Sequence, residues 1–174
     1  MTITFSSSRD LTAEDHDAGA ALTEKYFNTS GDTEQLQINS DNKQWFKKNF
    51  PESLTVIKDD NKIIGLAFVF LSDDYSMQKF INGEMSENEL TEYFKKNYSS
   101  QKKDFTNLYL CSVFIIPEYR GRGLGEQVLL AKIEEISRNV NLRSLFYWAY
   151  SDVGEHISKN IAKKTTLSLH RRSE

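Results

Sequence analysis

The chain has 174 residues, a formal net charge of −3 and a pI near 5.7. Hydrophobic residues make up 39% and charged residues 27% of the sequence, which is typical of a folded globular protein and argues against disorder. Proteins that bind nucleic acid through phosphate contacts are usually basic, so this acidic balance disfavours a nucleic-acid partner. The length predicts a single domain over residues 1–174.

The only cysteine, Cys111, cannot form an internal disulfide, which fits a reducing compartment. The N-terminal residues lack the charged and then apolar pattern of a signal peptide. No apolar run approaches the roughly 20 residues that span a bilayer. We therefore expect a cytoplasmic protein with no membrane partner.

Hydrophobic periodicity and turn residues divide the first part of the chain into short elements. The pattern predicts an edge strand, two helices and a pair of strands, at residues 2–6, 12–28, 41–50, 54–58 and 63–71. The two strands form the clearest hairpin in the sequence, because the residues between them favour a turn.

A polar and helical segment, residues 72–107, separates this hairpin from the next strand. It contains two helical patterns, and Ser86 with Glu89 forms a capping box at the start of the second. Structured segments of this length are more often functional than plain loops are. The alternative is that this segment has no function of its own and only packs on the surface of the domain.

The remaining chain is organised around residues 108–140. Residues 108–116 form a continuous apolar run that Pro117 ends, which is typical of a strand buried on both faces. A glycine-rich turn and an amphipathic helix follow. A second apolar strand at residues 144–150 completes a strand, helix, strand unit, so the two strands should be parallel with a right-handed crossover. A last helix and a weak strand at residues 165–169 end the predicted order.

The glycine-rich turn has the properties of an anion site. The first turn of a helix carries unpaired N–H groups and about half a positive charge. Glycines let an anion approach those donors, and Arg120 and Arg122 add fixed positive charge. The sequence contains no P-loop, and the G-x-G-x-G spacing does not fit the dinucleotide-binding pattern.

The turn reads Arg120-Gly121-Arg122-Gly123-Leu124-Gly125. It resembles the [Q/R]-x-x-G-x-[G/A] motif of the GCN5-related N-acetyltransferases, and the preceding strand and proline resemble the lead-in to that motif. The resemblance implies an α/β fold whose mixed, mostly antiparallel and twisted sheet contains a central βαβ unit and is flanked by helices. The two parallel strands of that unit would splay apart for acyl-CoA, and residues 72–107 would be a helical insertion.

The resemblance also implies acetyl-CoA as co-substrate. The loop would hold its pyrophosphate through backbone N–H groups, and the strand before it would pair with the pantetheine amides. The cofactor-binding residues implied in this way are Val113, Phe114, Ile115, Arg120, Gly121, Arg122, Gly123, Leu124 and Gly125.

The implied reaction is attack by an amine on the thioester, which needs a proton acceptor for the amine and a proton donor for the thiolate. The position where many family members carry a basic glutamate is Tyr109, and the helix that often carries an acidic tyrosine has none. Tyr109 and His156 are the catalytic candidates. Glu84, Glu87 and Glu89 could reach the acceptor, but such acidic runs are usually solvated faces. Cys111 fits a core residue better than a nucleophile. The scattered histidines predict no metal site.

We therefore expect an N-acetyltransferase that acts on a primary amine of a small molecule or protein. Two alternatives stay open: a CoA-binding regulatory or interaction module that has lost its chemistry, and a toxin-like enzyme that acetylates aminoacyl-tRNA. The sequence identifies neither the acceptor nor whether the chain forms a homodimer.

Overall fold

The computed structural model describes residues 2–7, 10–27, 32, 34–37, 39–99 and 103–173. The strands are β1 (Ile3–Ser7), β2 (Leu54–Asp59), β3 (Lys62–Ser72), β4 (Asn107–Ile115), β5 (Ser144–Tyr147) and β6 (Ser168–Arg171). The helices are α1 (Ala13–Phe27), α2 (Ser40–Asn49), α3 (Asp74–Ile81), α4 (Glu87–Asn97), α5 (Leu124–Ser137) and α6 (Asp152–Thr165). Within the described residues, every helix is too short or too polar to span a lipid bilayer.

The strands form one sheet in the order β1-β2-β3-β4-β5-β6. The first four strands pair antiparallel, whereas β5 runs parallel to both β4 and β6. The predicted hairpin is the β2–β3 pair, and the predicted βαβ unit is β4, α5 and β5. The predicted fold class, a mixed and mostly antiparallel sheet flanked by helices, is confirmed.

The central strands β3 and β4 form the middle of the core, because most of their residues are buried on both faces. Helices α3 and α4, which correspond to the two helical patterns of residues 72–107, also contribute to it. Phe80 and Leu90 are fully buried, and the Phe94 ring packs 5.5 Å from the ring of Phe70 on β3. Burying one such side chain contributes about 1.5–3 kcal/mol, so these helices are part of the folded core rather than surface additions.

Strands β4 and β5 separate after a short paired stretch. They pair only from Asn107 with Ser144 to Tyr109 with Phe146, although β4 continues to Ile115. The register between β3 and β4 shifts just beyond this point, leaving one extra residue on β4, at position 111. Such a bulge bends the strand and increases its twist. The predicted splay between the two parallel strands follows from this geometry.

Several boundaries differ from the predicted ones. Strand β5 ends at Tyr147 instead of residue 150, because Trp148 and the residues after it leave the diverging sheet edge. Strand β6 begins later than predicted, after Thr166 ends α6 in the left-handed conformation with φ of 59°. The predicted end of the first helix, residue 28, lies outside the described residues.

A glycine on β3 provides a test of the packing between β3 and β4. A Cβ atom at Gly65 would lie 2.4 Å from the carbonyl oxygen of Phe114. We expect Gly65→Ala to lower the free energy of unfolding by about 1–3 kcal/mol, because the backbone of β4 must move. The matched control is Gly19→Ala in α1, where an added methyl meets no neighbouring atom within 4 Å and should stabilise the helix by about 0.5–1 kcal/mol. Urea unfolding followed by tryptophan fluorescence measures both changes, and similar stabilities for the two variants would contradict this packing.

Candidate active site

The N-terminus of α5 is open to an anion. Gly123 caps the helix with φ of 73°, and no side chain accepts a hydrogen bond there. Gly121 has φ of 75°, a conformation that residues with a Cβ atom rarely adopt. Within the described residues, the backbone N–H groups of Gly121, Gly123, Leu124 and Gly125 have no acceptor. These donors and the positive end of the helix dipole are therefore available to an anion, and phosphate binding by this turn stays a prediction.

Both arginines of this turn are exposed and anchored by the local backbone. Arg120 donates through Nε to the carbonyl oxygen of Ile115 at 2.9 Å. Arg122 donates to the carbonyl oxygen of Glu118 at 3.2 Å, and its guanidinium lies 4.8 Å from the centre of the Tyr119 ring. The two positive charges therefore stay beside the open helix end.

The gap between β4 and β5 forms a cavity of about 100 Å³, which we call the strand cleft. Its walls come from β4, from the residues that follow β5, and from α5 and α6. The lining residues are Leu110, Cys111, Ser112, Val113, Leu129, Tyr147, Trp148, Ala149, Tyr150, Ser151, Gly154, Ile157 and Ser158. Val113 also lies next to the open end of α5, because a Cβ atom at Gly125 would be 3.4 Å from its side chain. The cleft thus continues from the open end of α5 along β4.

The other two predicted residues of this strand lie further along β4. The side chains of Phe114 and Ile115 do not line the strand cleft. The Phe114 ring instead contacts Tyr26 of α1, with ring centres 4.1 Å apart. Their backbones lie on the stretch of β4 that has no pairing with β5, so they stay available to a molecule in the cleft.

A second and larger cavity of about 310 Å³ lies on the other side of β4, between α1, α2 and the sheet. We call it the helix pocket. Its lining residues include Cys111, Ser112 and Tyr150, which also line the strand cleft. The two cavities therefore meet at these three residues, and a molecule in one can contact a molecule in the other.

A buried carboxylate lines the helix pocket close to this junction. Glu87 begins α4 and is only 4% exposed. One oxygen accepts the backbone N–H of Leu36 at 2.6 Å, and the other accepts the Tyr109 hydroxyl at 2.6 Å and the Cys111 thiol at 3.4 Å. Burial raises the pKa of Glu87, although these hydrogen bonds and the nearby Arg172 favour its charged form. A carboxylate with a raised pKa beside a pocket has the properties of a proton acceptor.

The two predicted catalytic residues, Tyr109 and His156, both lie outside the lining of the two cavities. Tyr109 is fully buried behind Glu87, and burial together with the charge of Glu87 raises the pKa of its hydroxyl well above the usual range. His156 is exposed on α6, where its ring contacts the Asn160 amide at 3.1 Å. The role of either residue in proton transfer stays a prediction.

Tyr150 is a residue that sequence reasoning did not select. It lies at the junction of the two cavities, and burial with the nearby Glu87 and Cys111 raises the pKa of its hydroxyl. The residue as a whole is 55% exposed, so the burial concerns its position beside Glu87 and Cys111 rather than the entire ring. Tyr150 therefore keeps its proton at neutral pH, and its hydroxyl is a hydrogen-bond donor at the junction. No spacing in the sequence distinguishes this tyrosine, which follows an apolar strand like any other residue. Among the described residues, no group of histidine, cysteine and acidic side chains could hold a metal ion.

The sequence matches the acetyltransferase (GNAT) family model over residues 20–163. The chain belongs to the GNAT acetyltransferase family. A comparison with curated proteins finds no match. The family assignment therefore depends on the family model and on the shared fold, and it confirms the resemblance of the glycine-rich turn.

Solved GNAT structures share the fold at low sequence identity. AAC(6')-Iy in complex with the bisubstrate analogue CoA-S-monomethyl-acetylneamine has a TM-score of 0.58 at 14% identity, covering 100% of this chain and 96% of that chain. A predicted acetyltransferase from Clostridium acetobutylicum, solved with acetyl-CoA, has a TM-score of 0.53 at 14% identity, covering 91% and 88%. The loading GNATL domain of CurA from Lyngbya majuscula has a TM-score of 0.56 at 15% identity, and this alignment covers 83% of this chain but only 63% of that chain. The CoA compounds in two of these structures agree with acetyl-CoA as the co-substrate of the family.

The raised pKa of Glu87 predicts how stability depends on pH. A folded-state pKa above the ordinary value of 4.5 stabilises the protein while Glu87 is protonated, and this contribution is lost as the pH rises through the folded pKa. We therefore expect the free energy of unfolding of the wild type, relative to Glu87→Gln, to fall with increasing pH above about 4.5, by at most about 1.4 kcal/mol per pH unit. Urea unfolding over a pH series measures this difference.

The matched control is Glu92→Gln, which changes an exposed glutamate on the same helix. Its stability relative to the wild type should not show the trend of the Glu87 variant. A difference between wild type and Glu87→Gln that stays constant with pH would contradict the raised pKa.

Proposed function

We propose that this protein transfers the acetyl group of acetyl-CoA to a primary amine. The observation that carries the proposal is the junction at Cys111, Ser112 and Tyr150, where the strand cleft meets the helix pocket beside the buried carboxylate of Glu87. A thioester that enters through the cleft and an amine that enters through the pocket would meet there. Holding two reactants in this way removes much of the entropic barrier to their reaction.

The acetyl-CoA molecule would bind along α5 and β4. Its diphosphate would accept hydrogen bonds from the N–H groups of Gly121, Gly123, Leu124 and Gly125, with the side chains of Arg120 and Arg122 beside it. Its pantetheine arm would run along β4 at Val113, Phe114 and Ile115, beyond the point where the pairing with β5 ends, and reach the junction. The support for this arrangement is the open end of α5 and the early end of the pairing between β4 and β5.

The proton transfers can be assigned to two side chains. An amine that is protonated at neutral pH loses its proton to Glu87 and then attacks the thioester carbonyl carbon. A β4 backbone N–H that faces the cleft stabilises the oxyanion as the carbon–sulfur bond breaks. The departing thiolate takes the proton of Tyr150, and the Tyr150 phenolate then takes the second proton of the attacking nitrogen. The products are a neutral amide, free CoA and a protonated Glu87, which releases its proton to solvent. Tyr109 acts as a positioning residue, because its hydroxyl holds one oxygen of Glu87.

An amine acceptor agrees with the fold shared with AAC(6')-Iy, whose bisubstrate analogue joins CoA to an acetylneamine group. We further propose that residues 1–174 form one domain, since all described strands belong to one sheet around one core. The cytoplasmic location, the absence of a nucleic-acid partner and the oligomeric state stay predictions from the sequence.

Binding of the co-substrate can be tested with a pair of glycine variants. Micromolar acetyl-CoA should raise the melting temperature of the wild type, and Gly123→Glu should abolish this shift because it places a carboxylate among the phosphates. The matched control is Gly83→Glu, another exposed glycine with a positive φ, 76°, and open space around it. It should keep the shift. A wild type that acetyl-CoA does not stabilise would contradict the proposal.

Turnover can be tested by measuring free CoA with a panel of primary amines. We expect Glu87→Gln to lower kcat by about 10²–10⁴-fold, because the amine loses its proton acceptor. The exposed Glu92→Gln variant is the control and should keep the wild-type rate. In the wild type, kcat should fall as the pH is lowered through the raised pKa of Glu87. Stabilisation by acetyl-CoA without release of CoA from any amine would favour a binding module instead of an enzyme.

A further inference from the structure

The helix pocket has an uneven distribution of charge. Among the described residues that line it, three are basic in type, namely His16, Lys43 and Lys47, and one, Glu87, is acidic. Asp32, whose charge contributes to the raised pKa of Tyr150, lies outside this lining. Glu87 lies at the junction with the strand cleft and is already held by three hydrogen bonds. The pocket therefore offers no further carboxylate to a second positive charge on the acceptor.

His16 lies at the end of the pocket that is away from the junction. Asp15 of α1 pairs with Lys58 of β2 at 2.7 Å, so the N-terminal part of α1 lies over β2. Tyr26, near the C-terminal end of α1, stacks on Phe114 of β4. Helix α1 thus crosses the sheet from β2 to β4, and His16 lies at its β2 end. Two strand spacings, about 10 Å, separate that end from the junction on β4.

His16 has a polar atom without a partner at this end. Its Nε2 atom is buried and has no hydrogen-bond partner among the described residues. Burial and the charge of Lys47 lower the pKa of the His16 imidazole, so the ring is neutral at neutral pH and can donate one N–H. A buried polar atom without a partner is costly, and a ligand that supplies an acceptor would remove the cost.

The two lysines lie next to His16 on the facing helix. Lys43 and Lys47 are one turn apart on α2, and both influence the pKa of His16. No carboxylate within the described part of the chain forms an ion pair with either lysine. The nearest acidic residues on α1 do not neutralise them in the pocket, because Asp15 is paired with Lys58 and Asp17 is exposed outside the lining.

Between the basic end and the junction, the walls of the helix pocket are mostly apolar. They are formed by Ala20 and Tyr26 of α1, Phe46 of α2, and Leu54, Leu66 and Phe68 of the sheet. An acceptor that fills this pocket therefore needs an apolar body between its two ends.

We propose, on the basis of the proposed acetyl transfer, that the acceptor carries a carboxylate about 10 Å from its reactive amine, with an apolar body between them. The amine lies at Glu87, and the carboxylate lies at Lys43, Lys47 and His16. An apolar peptide of about three residues with free termini has these dimensions, since an extended chain spans about 3.3–3.6 Å per residue. Polycations such as polyamines do not fit, because their second positive charge would meet the lysines.

The experiment compares matched apolar tripeptides that end in a free carboxylate or in a neutral amide, with spermidine as the polycation. We expect kcat/KM for the acid to exceed that for the amide by about 10–100-fold, as for a hydrogen bond to a charged group. In the double variant Lys43→Met, Lys47→Met this preference should fall towards one. Lys48→Met, an exposed lysine on α2 outside the pocket, is the matched control and should keep the preference.

A binding measurement separates this proposal from the proposed activity. In the presence of CoA, the acid should raise the melting temperature more than the amide does, and the double lysine variant should remove the difference. If CoA is never released but the acid still binds better than the amide, the acetyl transfer is wrong and the carboxylate site stands. Equal binding and turnover of acid and amide, or better turnover of spermidine, would overturn the carboxylate site while leaving acetyl transfer intact.

Discussion

The site depends on one constraint, which is that β4 and β5 are parallel neighbours that pair over only three residues each. Beyond Tyr109, β4 is therefore paired with β3 only, and β4 and β5 diverge where β4 carries an extra residue. This divergence creates the strand cleft, and it leaves Cys111 and Ser112 between two cavities. If the strands paired along their full length, the cavities would be separated and no transfer between them could occur.

The site also contains a carboxylate, that of Glu87, which the fold keeps out of water. A buried carboxylate is costly unless hydrogen bonds compensate for its lost hydration. Glu87 obtains these bonds from Leu36, Tyr109 and Cys111, which belong to separate parts of the chain. The same arrangement that stabilises the charged form also positions it at the pocket wall. The helical segment between β3 and β4 thus supplies the group for which Tyr109, at the usual glutamate position, is chemically unsuited.

The two ends of the helix pocket have opposite chemical character. The junction end contains the buried carboxylate of Glu87, whose pKa is raised, whereas the opposite wall contains a neutral histidine and two lysines that form no ion pair within the described residues. Helix α1 sets the distance between the ends, because it crosses three strands of the sheet. In the proposed complex, charge orients the acceptor as well as selecting it, and this arrangement follows from the position of α1 and α2 on the sheet rather than from any motif.

The sequence by itself determined the open end of α5 and the strand order. Both depend on residues that are neighbours in the chain. The local properties concerned are the positive φ of Gly121 and Gly123, the start of α5, and the apolar runs of β4 and β5. Only the tertiary structure decided which side chains meet. Glu87 and Tyr109 are 22 positions apart, and nothing in their spacing distinguishes Glu87 from the acidic residues around it. The reason is physical, since backbone preferences act over a few residues, whereas a catalytic contact forms only when distant elements pack together.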